Sequence, residues 1–319
     1  MRTFFLAVNT GYSAFGDPTE RAIEFYRERS GNNLYAAIVG NVVLPSGYGT
    51  NDVCMRISNN NAWEKLALAI RKKGAIPGVQ LSSTWENYVG NKKFRPSPGV
   101  SPYEYYRVAA RNFTADRIKE VFVDLRHGTD LAIAAGFRHV QLHAAHGYLF
   151  SLMLDPAFSD CVEQSLAATS DWLEFLRREG VESSIRVSIT TGIPEADQGR
   201  QVALDGIFEL KPDFIDISDG YYNADKHLIY PSHERVIRDR HEVSLALAQR
   251  FPAQQCIISG RASALKMAGP NLNLGLCRDL IANPDFLNGG SGCKNRMLCH
   301  FYSRGKAHLS CGEWVNGRL

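Results

Sequence analysis

The heptapeptide HAAHGYL, His143 to Leu149, sets two histidines three residues apart and a tyrosine two residues beyond the second. Imidazoles so placed can bind a metal, donate hydrogen bonds to a developing negative charge or move protons, and a nearby phenol can serve as a general acid. A zinc site usually draws on three or four ligands, and the helical zinc motif spaces its histidines one residue wider, with a glutamate between them. Here Ala144 and Ala145 fill the gap. A metal-dependent barrel hydrolase is therefore the alternative from another class, and a structural histidine pair is the plain one. What decides is the element behind the motif. Val140-Gln141-Leu142 reads as a buried strand ending at His143, so the next turn carries His146 and Tyr148 over the strand's C-terminal end.

Short apolar segments alternate with longer amphipathic ones along the chain, as in parallel βα units. Strands are expected at Phe4–Val8, Leu34–Val39, Ile76–Leu81, His139–His143, Ile185–Ile189, Phe214–Ser218, Cys256–Ser259 and Leu274–Cys277. Helices are expected at Thr19–Arg29, Ala62–Lys73, Ala115–Ala135, Ser170–Arg178, Gln201–Glu209, Val236–Arg250 and Ala262–Ala268, with Asp17-Pro18 opening the first and Gly136 and Gly180 closing two others. Eight such units in 319 residues suit an α/β fold of one (β/α)8 TIM barrel, whose active site lies at the C-terminal strand ends. A doubly wound open sheet is the rival, but no strand leads into G-x-G-x-x-G. The whole chain, 1–319, is read as a single domain. It carries a candidate active-site loop over 82–106, rich in Pro, Gly and aromatics, and a cysteine-containing C-terminal tail over 290–319.

A 45% hydrophobic and 22% charged composition belongs to a globular protein with a large core. A net charge of +3 without a basic block argues against nucleic acid, leaving a small-molecule substrate as the expected partner. No stretch approaches the roughly 20 apolar residues that span a bilayer, and the opening MRTFFLAVNTGYS is too briefly apolar for a secretion signal. Seven scattered cysteines suit reduced thiols and a cytoplasmic protein. Nothing specifies an oligomer, although exposed barrel faces often pair.

The run TADRIKEVFVDLRHGTDLAIAAGFRHVQLHAAHGYLFSLML, Thr114 to Leu154, resembles the old yellow enzyme family of FMN-dependent ene-reductases, in which a long helix leads through A-G-F into a strand ending in H-x-x-[HN]-G-Y-L. VNTGYSAFGDPTERAIEFYRER, AAIVGNVVLPSGYG, IPGVQL, IRVS, ISGRAS and CRDLIANPDF resemble other family segments in the same order. The resemblance implies an FMN-binding barrel in which NADPH or NADH reduces the flavin, which then passes hydride to an activated C=C bond. It makes His143 and His146 the donors that bind the substrate's carbonyl oxygen, and Tyr148 the acid that protonates its α-carbon. It assigns the flavin to Thr10 near the reactive nitrogen, Gly40 at a close backbone approach, Gln80 on the pyrimidine edge and Arg186 beside N1 and O2. Ser259, Gly260, Arg261, Cys277 and Arg278 would take the phosphate. No metal is expected at the site.

This chain departs from the family in places. Cys277-Arg278 stands where Gly-Arg is usual, SSTW (Ser82–Trp85) replaces an aromatic-histidine pair, and AFSDCVEQSLAATSDW replaces the Tyr-Gly-Gly-Ser and Glu-Asn-Arg segment after Pro156. The substrate is therefore not inherited; a specialised, biosynthetic one is the expectation. The same groups could run in reverse as a dehydrogenase or oxidase, and the departures also leave open a flavin-binding protein without turnover. Cys299 and Cys311 have the spacing of the last two cluster ligands of larger relatives. A cubane needs four thiolates, Cys293 is off the pattern and the fourth position is not cysteine, so no cluster is expected.

Overall fold

In the computed structural model, which describes residues 1–89 and 99–314, eight parallel strands close into a ring. They are β1 (Thr3–Phe5), β2 (Ala36–Val43), β3 (Ile76–Ser82), β4 (His139–Ala144), β5 (Glu182–Ser188), β6 (Phe214–Ser218), β7 (Cys256–Ile258) and β8 (Leu272–Leu276). Each pairs with its neighbour in chain order. The ring closes where Phe4 of β1 pairs with Ala36 of β2 on one side and Gly275 of β8 on the other. This is the expected (β/α)8 barrel.

Strand side chains alternate between two environments. Val140, Leu142, Ile185, Val187, Ile215 and Ile217 join the apolar layer under the helices. The intervening positions point into the barrel. At its floor Phe4, Phe214 and His139 pack together, with Phe4–Phe214 ring centroids 5.1 Å apart. Above them the interior turns polar: Gln80, Gln141, Ser184, Arg186, Asp216 and Ser218 come from consecutive strands and meet as hydrogen-bonded neighbours.

Local sequence sets the helix boundaries. Asn60, Ser101 and Thr114 cap the helices Asn61–Arg71, Pro102–Ala110 and Ala115–Ala134, each accepting a backbone N–H from the first turn. Several expectations are corrected. Asp17-Pro18 pairs with Ser13-Ala14 in a small hairpin rather than starting the first helix, which begins at Glu20. The Ala262–Ala268 helix shrinks to one 3-10 turn, Ala262–Ala264. The helix expected from Ser170 starts at Val162. Part of the 82–106 loop is the helix Pro102–Ala110, whose Tyr106 is fully buried against Tyr221 and Phe158. Residues 90–98 of that loop and 315–319 of the tail lie outside the described residues. No helix among the described residues is long and apolar enough to cross a membrane.

One buried ion pair ties the segments behind the barrel mouth. Arg200 donates to Asp155 at 2.6 Å and twice to the Ser188 carbonyl, and both side chains are almost fully buried. Asp155→Ala strands the guanidinium without its counter-charge, and we expect a loss of about 3–5 kcal/mol. A urea-unfolding midpoint that matches the unmutated protein's would refute this.

Candidate functional site

The C-terminal strand ends open into a cavity whose empty space, open solvent included, comes to about 1310 Å³. His143, His146 and Tyr148 all line it. His143 is the penultimate residue of β4. Two features bend the chain sharply after it: His146 takes φ +63° and Gly147 φ +76°. A Cβ on Gly147 would lie 2.4 Å from the Tyr106 hydroxyl, so glycine is required on steric as well as conformational grounds. The turn is pinned on three sides. The His146 N–H donates to Ser188 Oγ at 2.9 Å, its carbonyl accepts from Tyr222 N–H at 3.2 Å, and Leu149 N–H reaches the Ser83 carbonyl at 3.0 Å. The three rings form one cluster: His143 to Tyr148 is 4.8 Å, His143 to His146 5.1 Å and His146 to Tyr148 6.4 Å between centroids.

Burial sets the protonation of this cluster. It pushes both imidazoles well below their ordinary value, with Arg186 adding repulsion at each, so both are neutral near pH 7. Burial likewise drives the Tyr148 phenol well above its ordinary value, and it keeps its proton. The tautomer of His146 follows from its partner. Ser218 Oγ already accepts from Arg186 at 3.1 Å and Arg240 at 3.5 Å, so its single hydrogen goes to His146 Nε2, 2.8 Å away. The His146 proton then sits on Nδ1. His143 Nδ1 is buried with no hydrogen-bond partner among the described residues.

Beneath the cluster runs a chain of polar groups. Gln80 donates to Gln141 at 2.6 Å, Gln141 to Asp216 at 3.2 Å, and Arg186 to the same Asp216 oxygen at 2.7 Å. His143, Arg186 and Asp216 are register partners on adjacent strands. Burial raises the Asp216 carboxyl above its ordinary value, opposed chiefly by Arg186. Arg240 crosses from the helix Glu234–Arg250 to donate to Ser259 at 2.8 Å. Its burial brings it down to about 10, against the pull of Asp219. The Nε atoms of Arg186 and Arg240 and Asp216 Oδ1 are buried without partners among the described residues.

Gln80, Arg186, Ser259, Gly260, Arg261, Cys277 and Arg278 also line the cavity. Four of the expected residues behave differently. Thr10 is buried off the cavity lining, its Oγ1 accepting from Tyr12 N–H and its carbonyl from Leu309 N–H, while Ala7, Val8 and Asn9 face inward. The reason is that β1 stops at Phe5 and the chain then turns under the C-terminal segment. Gly40 lies behind the lining, where a Cβ would come 2.9 Å from that of Gln80. The guanidinium of Arg278 donates to Asn295 and Met297, which the returning tail brings to it, and to the Pro231 carbonyl. Arg261 is held similarly by Asp279 and the Cys293 carbonyl. The Cys277 thiol, pushed up to about 12 by burial, remains protonated. Tail residues Cys299, His300, Phe301 and Tyr302 complete the wall.

The sequence reading missed Gln141, Asp216, Ser218, Tyr222, Tyr230 and Arg240. A signal existed for Asp216: a carboxylate alternating with isoleucines in FIDIS is not buried without a partner. Arg240, on a helix rich in charge, carried none. Among the described residues, no group of three or more His, Cys, Asp or Glu side chains gathers where a metal could sit.

A closed barrel with a polar-floored cavity at its strand ends has the architecture of the α/β-barrel enzymes, whose sites lie at that end. Residues 2–165 match the NADH:flavin oxidoreductase / NADH oxidase family, and the chain belongs to that family. It is thus an FMN- and NAD(P)H-using oxidoreductase of the old yellow enzyme group. It is 24% identical over 331 aligned residues to the NADH-dependent flavin oxidoreductase nadA of Aspergillus parasiticus, covering 92% of this chain and 71% of that one. It is 23% identical over 250 residues to an NADPH dehydrogenase of Clostridium acetobutylicum, covering 72% of this chain and 71% of the relative. The fold matches an Old Yellow Enzyme from Pichia with TM-score 0.70 at 17% identity, covering 100% of this chain and 90% of that one. It also matches a 2-naphthoyl-CoA reductase with TM-score 0.71 at 16% identity, covering 98% of this chain and 54% of that longer chain.

The neutral histidines predict a pH dependence of stability. Their folded values lie below the ordinary one of about 6.5, so the unfolded chain takes up protons that the folded chain refuses. Stability is unaffected by this pair above that pH and falls below it, by up to about 1.4 kcal/mol per pH unit for each histidine. The double variant His143→Asn, His146→Asn, which tolerates the positive φ, should lose less between about pH 7.5 and about pH 5.5. Denaturant titrations of both proteins check this; equal losses would show the linkage lies elsewhere.

Proposed function

We propose that this protein is an FMN-dependent reductase of activated C=C bonds in a small-molecule substrate, with His143, His146 and Tyr148 acting on that substrate. The observation that carries the reading is the cluster itself: two neutral imidazoles and a protonated phenol within 6.4 Å of one another at the cavity wall. The residues fit the cofactor. Unpartnered Arg186 Nε supplies a donor, and the cavity runs between polar groups on β3–β5 and the turn after β7 across the ring, with Leu6, Ala7 and Leu276 between. A flat ring with one polar edge and a phosphorylated tail matches that distribution. Bound FMN supplies the two-electron chemistry, taking reducing equivalents from NAD(P)H and passing them to the alkene.

Each residue then has a task. Gln80 would meet the pyrimidine edge and Arg186 would set a fixed positive charge near N1 and O2. The turn Ser259–Arg261, with Cys277-Arg278, would hold the phosphate end through backbone N–H groups, since both guanidiniums already donate to protein partners. His143 and His146 donate to the carbonyl oxygen of an enone-like substrate as charge builds there, and one such donor is worth roughly 3 kcal/mol. Neutral imidazoles suit the task, because a donor held in place needs no reorganisation. Tyr148 delivers a proton to the α-carbon, for which its phenol must be protonated at rest, as burial ensures.

The purified protein should be yellow and release FMN on denaturation, and anaerobic NADPH should bleach it. A panel of enones should then restore the colour; if none does, the reductase reading is lost although the flavin remains. Tyr148→Phe should slow reoxidation by enone roughly 100-fold or more while leaving bleaching by NADPH intact. Equal loss of both half-reactions would point instead to a disturbed fold.

A further inference from the structure

Tyr148 is only 3% exposed, walled by His143, by Tyr88 at 5.8 Å and by Tyr222, which stacks on it at 5.5 Å and 16°. A phenol that gives up its proton each turnover must be refilled, and one so enclosed has little contact with bulk water. The structure supplies a route. The Tyr222 hydroxyl shares a hydrogen bond with the Tyr230 hydroxyl, and the Tyr148 phenol, stacked against the Tyr222 ring, acts on that hydroxyl as a neighbouring donor. The Tyr230 ring meets the His300 ring edge-on at 3.9 Å. Exposure rises along this path: Tyr148 is buried, whereas Tyr222, Tyr230 and His300 are half-buried and line the cavity near its mouth. Phenylalanine would fill the same volume at either tyrosine position, but it could not continue the chain of hydroxyls.

We propose that Tyr222 and Tyr230 form a proton relay that refills Tyr148 from the His300 side of the cavity, an inference that rests on the reading of Tyr148 as the acid. When the Tyr148 O–H bond breaks, a C–H bond forms at the substrate α-carbon, using the electron pair of the substrate enolate. The Tyr148 oxygen takes the proton of Tyr222, Tyr222 takes that of Tyr230, and Tyr230 is reprotonated by water at the mouth. One proton enters per turnover and no electron moves along the chain. Burial disfavours the phenolate form of all three residues, so the shifts run as one displacement and no buried anion waits. His300, brought down to about 4 by burial and by the cations of Arg278, Arg304 and Lys226, is neutral, and its ring packs against Tyr230 at the outer end of the path.

Tyr222→Phe and Tyr230→Phe, prepared as holoenzymes, test the relay beside Tyr148→Phe. Both should slow reoxidation by enone about 10-fold or more, raise the solvent deuterium isotope effect on that half-reaction, and leave bleaching by NADPH and its isotope effect unchanged. A purely structural tyrosine would not alter the isotope effect of one half-reaction alone. A readout without turnover comes from protein labelled with carbon-13 at the tyrosine Cζ positions: Tyr230→Phe should shift the Tyr148 resonance through Tyr222. If Tyr148→Phe slows enone reduction while the other two variants keep the unmutated rate and isotope effect, the relay is refuted and the acid survives. If Tyr148→Phe has no effect, the acid reading fails and the relay falls with it. Should Tyr222→Phe not fold, Tyr230→Phe decides, and an unshifted Tyr148 resonance there refutes the connection.

Discussion

The site depends on placing a guanidinium inside the barrel and keeping it charged. Arg186 can occupy the interior because Asp216, its register partner on the next strand, meets it at 2.7 Å, and Ser218 takes a second N–H. An ion pair out of water is expensive to make and more expensive to leave half-made, since removing one partner typically costs about 3–5 kcal/mol. The surrounding groups answer that cost. Gln141 bonds the carboxylate, Gln80 holds Gln141, and Ser218 links Arg186 to His146 and Arg240. Burial keeps the histidines neutral, and the same arrangement adds to it, because an embedded cation beside a buried imidazole disfavours a second one.

Above this polar floor the mouth is built from aromatics and from a tail that returns to the barrel. Tyr88, Tyr148, Tyr222, Tyr230 and His300 make successive ring contacts, and the tail packs Phe301 and Leu309 into the core. The return of the tail has two consequences. It takes up the side chains of Arg261 and Arg278, leaving backbone groups to face the cavity there, and it narrows access to the phenol cluster. The positive end of the cavity is therefore rigid, because its charges are already fixed by protein partners.

Much of the fold was legible along the chain. Apolar runs of strand length, spaced by amphipathic helices, marked all eight strands, and Phe214–Ser218 agrees to the residue. The ends drifted where closure overrode local preference: β1 stops at Phe5 although the apolar run continues to Val8, and Ala262–Ala268 winds only one turn although its composition favours a helix. His143, His146 and Tyr148 were legible because a strand, a tight turn and a helix start bring them together within seven residues. Thr10 was not, since its direction depends on Leu309, far along the chain.

The sequence by itself determined what is local. Period-two alternation chose which strand residues face the barrel, and Gly147 made the turn that carries the motif over the mouth. The same residues carried the family resemblance. Only the tertiary structure decided the partnerships. Asp216 opposite Arg186, Ser218 beneath His146, Arg240 reaching in from the helix Glu234–Arg250 and Tyr222 against Tyr148 join groups separated by 19 to 74 residues. The physical reason is that strand register and ring closure set distances between segments that no local pattern encodes. The charge and tautomer of the site are consequences of those distances.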